Sequence, residues 1–164
     1  MLSLPRIVER TATPYVALRK DVVLPFDDEI PAILAQLSAY LAQRGLEAAG
    51  PVFFKHNVID MPWLQMEFGV PLARPVEAGG EFTSGVLPAG RHAEISYTGP
   101  YEDLVIVNAV LIGWARHSGL EFDSRPQPDG EWFAHRSEIL HNSPGAGADP
   151  ASLRTTVTIK LRDP

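Results

Sequence analysis

From Phe82 to Gly119 the chain reads FTSGVLPAGRHAEISYTGPYEDLVIVNAVLIGWARHSG. Phe82 to Leu87 and Arg91 to Tyr97 read as strands hinged at Pro88-Ala89-Gly90. Gly99-Pro100 then opens a helix from about Tyr101 to Ser118, and Gly119 closes it as a C-cap glycine would. The same order occurs upstream. Ile7 to Thr11 and Tyr15 to Lys20 read as a strand pair broken at Pro14, and a helix follows. Asp27 and Asp28 are its candidate caps, Pro31 sits in a tolerated first-turn position, and Ile30, Ile33, Leu34, Leu37 and Leu41 form one stripe at helical spacing. Gly45-Leu46-Glu47 ends the first helix as Gly119-Leu120-Glu121 ends the second.

Each helix is followed by two more strand patterns. In the first half these are Val52 to Asn57 and Trp63 to Val70, turning at Asp60-Met61-Pro62. In the second they are Trp132 to His141 and Thr155 to Leu161, separated by the loop NSPGAGADP. LARPVEAGGE, Leu72 to Glu81, has no periodicity and is the connector. The expected fold is therefore α+β, a tandem β-α-β-β duplication with repeats over about residues 5–72 and 81–162. Half of this length with one helix buries too little to stand alone. The halves are expected to share one domain, 1–164, with a cleft between them. The second helix, LVIVNAVLI, is apolar almost all round, which implies burial on more than one side, against the first helix or in a homodimer or other protein interface.

Composition narrows the function. The chain has 164 residues, 45% hydrophobic and 21% charged, and no cysteine, so disulfides and thiolate metal sites are excluded. No apolar run is long enough to span a membrane, and the N-terminus lacks a signal-peptide pattern, so a cytoplasmic location is the expectation. A net charge of −6 with scattered basic residues argues against nucleic acid as a direct partner. The N-terminal residues lead straight into the first strand, so a stand-alone protein is expected rather than a whole regulator. There is no Walker loop, no G-x-S-x-G elbow, and no zinc spacing among His56, His92, His117, His135 and His141. No cofactor, metal or catalytic residue is assigned.

The chemistry-bearing segment is Glu131 to Asn142, EWFAHRSEILHN. Alternation puts Trp132, Ala134, Arg136, Glu138 and Leu140 on one face of a strand. Neither face is cleanly apolar, so this is either an exposed surface or the wall of a polar-centred cleft. In Trp63 to Val70, the set Leu64, Met66, Phe68 and Val70 must face the helices. Trp63, Gln65 and Glu67 then face away, as do Thr156 and Thr158 in the last strand. That second face suits a ligand groove, and Glu138 is expected to share it with Trp63 and Glu67. Arg136, two residues from Glu138, is either a surface ion-pair partner or the group that neutralises it.

Four segments in order resemble the GyrI-like small-molecule-binding family: GLEAAGPVFFKHN, MEFGVPL, LPAGRHAEISYTGPYEDL and SEILHNSPGAGADPASLRTTVTIKL. The resemblance covers roughly Ile7 to Leu161. It implies duplicated repeats around a cleft, as in the effector-binding modules of AraC- and MerR-type multidrug regulators, in stand-alone binders, in a gyrase inhibitor and in some hydrolases. By resemblance, Glu138 matches the glutamate that engages cationic ligands, and Leu140 the neighbouring pocket wall. Glu67 falls in the fourth-strand motif. His56 stands where many members carry tyrosine, and Leu140 and Thr158 where aromatics are frequent. With Phe54, Trp63, Tyr101, Trp132 and Arg136 these form the candidate ligand-binding set. The expected function is binding of a small, apolar or cationic organic molecule. The alternatives are hydrolysis of an electrophile with Glu138 or Glu67 activating water, or a gyrase-inhibitor-like interaction module.

Overall fold

A computed structural model describes residues 1–142 and 148–164. The middle of the NSPGAGADP loop, with its Gly145-Ala-Gly147, lies outside the described residues. In chain order the elements are β1 (Arg6–Arg10), β2 (Thr13–Val23), α1 (Ile30–Arg44), β3 (Phe53–Asp60), β4 (Trp63–Pro71), β5 (Phe82–Leu87), β6 (Gly90–Thr98) and α2 (Leu104–His117). β7 (Ser124–Gln127), β8 (Gly130–Phe133), β9 (Arg136–Leu140) and β10 (Arg154–Lys160) complete the chain.

The strands form one antiparallel sheet in the order β1-β6-β10-β9-β3-β4-β2-β5, with β8 pairing to β3 and β7 to β8. β1 ends at Arg10 and β2 begins at Thr13, yet five strands lie between them in the sheet. Two residues cannot span five strands at ~4.8 Å each unless the sheet curls until its ends approach. The mixed α+β architecture is therefore a curled antiparallel sheet with two helices.

Both helices sit on one face of that sheet. Ile33 of α1 packs with Leu18, Phe54, Met66 and Phe68, and Val107 and Leu111 of α2 pack with Ala93, Ile95, Val157 and Ile159. Burying Ile33 or Leu37 contributes ~1.5–3 kcal/mol each. α1 begins with proline in its first turn and ends on Gly45 in the left-handed conformation. Asp27 and Asp28 do not cap it. They fold into a 3-10 turn with Glu29, and no side-chain cap bond forms.

Among the described residues the other face carries no helix, yet it is buried, because it is the inside of the curl. One register row across it reads Arg6, Glu94, Thr158, Ser137, Lys55, Glu67, Arg19, and its five middle members are all buried. Arg10, at the β1–β2 link, pairs with Glu94. Glu67 accepts from Tyr15 (2.9 Å), Asn57 (2.8 Å) and Thr83 (2.6 Å), with Lys55 at 3.2 Å. Burial pushes its carboxyl up, but Lys55 and these donors outweigh that and hold it below the usual carboxylate range. His92 Nδ1 donates to the Gly90 carbonyl (2.9 Å). In the neutral ring its Nε2 must then accept from His135 Nδ1 (3.0 Å), and His135 Nε2 accepts from the Ser137 hydroxyl (2.9 Å). Ser137 is 1% exposed, so this serine–histidine chain meets no solvent.

Three expectations change. The strand expected from Trp132 to His141 is two strands, β8 and β9, interrupted at Ala134-His135 where His135 turns into the interior. β7 is an additional strand. Within a single chain α2 buries one side, with no second side covered by α1: Val107, Leu111 and Ala115 face the sheet, while Val105 and Ile106 are exposed.

Candidate functional site

The row beside the polar one, on the helix face, reads Ile95, Val157, Glu138, Phe54, Phe68, Leu18, Phe82 across seven strands. Six are apolar, and the seventh is Glu138. α1 packs on β2 and β4, and α2 on β6 and β10, so β9 and β3 lie between the parts of the sheet that the two helices cover. Tyr101, in the 3-10 turn leading into α2, packs against the α1-side cluster that includes Phe54 and Leu140.

Glu138 keeps 16% side-chain exposure and His56 13%, and His56 Nε2 lies 3.5 Å from Glu138 Oε1. Burial pushes the Glu138 carboxyl up to about 7, and the Arg136 charge offsets this only in part. Burial, reinforced by Arg136, pulls His56 down to about 3. Near neutral pH the contact is therefore a neutral imidazole against a carboxyl within its titration range, not an ion pair. Arg136 lies on the same face but is engaged elsewhere: Nη2 donates to Asn108 Oδ1 (3.2 Å), and the guanidinium stands 5.0 Å from the Phe133 ring centroid. Among the described residues, no Arg136–Glu138 ion pair forms within contact distance.

Four buried polar atoms on this side of the sheet lack a hydrogen-bond partner: His56 Nδ1, Arg136 Nε, Tyr101 OH and Thr155 Oγ1. Tyr40 OH is the one other such atom among the described residues. Each costs ~1–3 kcal/mol when left unmet, so this is a polar lining that the protein's own groups do not satisfy.

Six expected residues, Glu138, His56, Phe54, Leu140, Arg136 and Tyr101, come together on the helix face around Glu138. Four do not. Glu67 and Thr158 lie on the opposite face, in the polar interior, with the Thr158 hydroxyl donating to Glu94 (2.9 Å). Trp63 is 59% exposed and borders a depression of about 290 Å³ with Asp21, Asp60 and Asp129. Trp132 donates to Asp129 (2.8 Å) and borders another of about 280 Å³ with Arg125 and Phe133. Neither depression touches Glu138. The expectation that Glu138 shares a side with Trp63 and Glu67 is corrected by register. Glu138 pairs with Phe54 and Phe54 with Phe68, so Glu138 faces the helices. Asn108 and Phe133, which hold Arg136, were missed. Asn108 is the one polar residue in LVIVNAVLI, and that was its signal.

A family model described as a GyrI-like small molecule binding domain matches residues 4–160. No curated protein matches the chain. Among solved structures, EcmrR in a DNA complex is similar at 16% identity and TM-score 0.79, covering 98% of this chain. This chain spans 58% of that EcmrR chain. The EcmrR C-terminal domain alone aligns over 98% of both chains, at 15% identity and TM-score 0.75. SAV2435 bound to tetraphenylphosphonium aligns at 5% identity and TM-score 0.63, over 98% of this chain and 94% of its own. A Listeria innocua hydrolase aligns at 12% identity and TM-score 0.62, over 96% and 91%. At these identities the likeness is one of fold.

Proposed function

The chain belongs to the GyrI-like small-molecule-binding domain family, and from that premise we propose that it binds a flat, apolar organic cation between α1 and α2, as an effector-binding or sequestering protein. The observation that carries this reading is the isolated Glu138 in an otherwise apolar seven-strand row. A lone carboxyl in desolvated surroundings favours a cation over an anion, since pairing restores the charge stabilisation that burial removes. Phe54 and Tyr101 supply flat apolar contact, and Leu140 the wall. The strand order supports a duplication behind the cleft: read from either end, it runs first, second, fourth and third strand of a repeat, with the first strands exchanged between halves.

The test is titration of one cationic and one neutral dye of similar shape against the wild-type protein and Glu138→Gln. The cation should lose about 1–3 kcal/mol, the range of a charge-assisted contact, and the neutral dye much less. Equal losses would leave Glu138 as scaffold and end the cation reading.

One observation favours a second reading, hydrolysis. A carboxyl titrating at about 7 beside a neutral histidine is poised as a general base. Glu67 is unsuited to that role, being buried behind four side-chain partners. Turnover of ester or other electrophilic substrates that is abolished in Glu138→Gln would favour the hydrolase.

A further inference from the structure

The side of α2 turned away from the sheet is apolar and uncovered. Val105 is 72% exposed, Ile106 62% and Val110 38%. Ala109 and Gly113 are exposed between and beyond them, and a methyl group placed on Gly113 would meet nothing within 4 Å. The stripe has an acidic end and a basic end: Glu102 precedes the helix, and Arg116 and His117 close it, all exposed.

The spacing gives this stripe a twofold character. Ala109 lies seven residues from Arg116, two helical turns, and seven residues from Glu102 in the 3-10 turn that leads into the helix. Val105 and Gly113 lie four residues to either side. We propose that α2 is a self-association surface: two copies pair antiparallel across a twofold axis at Ala109. Each Val105 then seats over Gly113 of the second copy, a large residue into the gap left by a missing side chain, which lets the backbones approach. Each Glu102 meets Arg116 of the second copy, so the pairing makes two opposite-charge contacts at once, and the helix dipoles oppose. The parallel arrangement would set like charges together. A second copy of this chain is thus the occupant whose charge pattern matches in the required orientation. One helix pair buries less than the ~1,200 Å² of a stable interface, so the dimer is reversible and concentration-dependent.

The experiment is sedimentation velocity on the full chain over a dilution series up to about 1 mM. The wild-type protein should shift from monomer to dimer across the series. Glu102→Arg and Arg116→Glu should each weaken the dimer by about tenfold, because each sets like charges opposite one another twice. The double reversal, Glu102→Arg with Arg116→Glu, should restore it. Gly113→Leu should abolish it without lowering the thermal midpoint, since in the monomer the new side chain points into open space and a helical glycine gives way to a better helix former. A protein that stays monomeric throughout overturns the proposal. So does a dimer indifferent to these changes, or single reversals that the double reversal fails to rescue.

Discussion

Replacing Glu138 with glutamine should make the protein more stable above neutral pH, not less. In the folded chain the carboxyl titrates at about 7 against an ordinary 4.5, because burial outweighs the nearby Arg136 charge. A group with a raised folded pKa binds its proton more tightly when folded. Its contribution is fully present below the unfolded value, near 4.5, and is lost as pH rises through the folded value, near 7. The gap of about 2.5, at ~1.4 kcal/mol for each tenfold change in proton affinity, amounts to ~3 kcal/mol. Only 16% of the side chain is exposed, so solvent screening removes little of it. Glutamine keeps the shape and cannot ionise. Urea denaturation of both proteins at about pH 5 and about pH 8 isolates the effect, because titrations elsewhere cancel in the difference. The stability gap in favour of Glu138→Gln should widen by roughly 2–3 kcal/mol from the acid to the alkaline condition. A gap that stays constant, or that widens towards acid, would refute the desolvation argument.

Glu67→Leu should destabilise by about 3–5 kcal/mol, because Lys55 is left buried and unpaired, whereas Lys55→Met with Glu67→Leu should recover much of that loss in chemical denaturation. Gly69→Ala should prevent folding or lower the melting temperature steeply, since the added Cβ would stand 2.4 Å from the Val16 carbonyl oxygen in the adjoining strand; circular dichroism reads the outcome. Burial lowers both His92 and His135, so they contribute stability present above the ordinary value of 6.5 that is lost as pH falls towards their depressed folded values. His135→Gln should flatten that acid-side loss, and a variant as acid-sensitive as the wild-type protein would count against buried neutral histidines as its source.

Elements carrying their own punctuation were legible in the sequence. Gly45 and Gly119 end both helices as read, because a left-handed C-cap is a local event. Leu64, Met66, Phe68 and Val70 face the helices as their uniform apolarity requires. The face of Glu138 was not legible. Arg136, Glu138 and Leu140 alternate with Ser137, Ile139 and His141, and neither set is apolar enough to choose the core side. The choice is made by pairing with β3, more than seventy residues earlier in the chain. The polar second face was misjudged for a related reason. Lys55, Glu67 and Thr158 are polar because they fill the inside of a curl, and curling is a property of strand order that no single strand reveals. Likewise, β7 was hidden because Pro126 in SRPQ argues against a strand in any but an edge position.

The two-residue link at Thr11-Ala12 also bears on the order in which the chain can mature during synthesis. Among the described residues, β1 has its one strand partner in β6, and β5, the other outermost strand, has its one partner in β2. Once synthesis has passed Pro71, β2, β3 and β4 are available with the outer edge of β2 open, and β1 has nothing to pair to. Relief for β2 arrives only when Phe82–Leu87 emerges, and for β1 only after Gly90–Thr98. Until then, the nascent protein presents an unprotected strand edge of the kind that joins neighbouring chains. Neither outer edge of the sheet is complete until both β5 and β6 have been made.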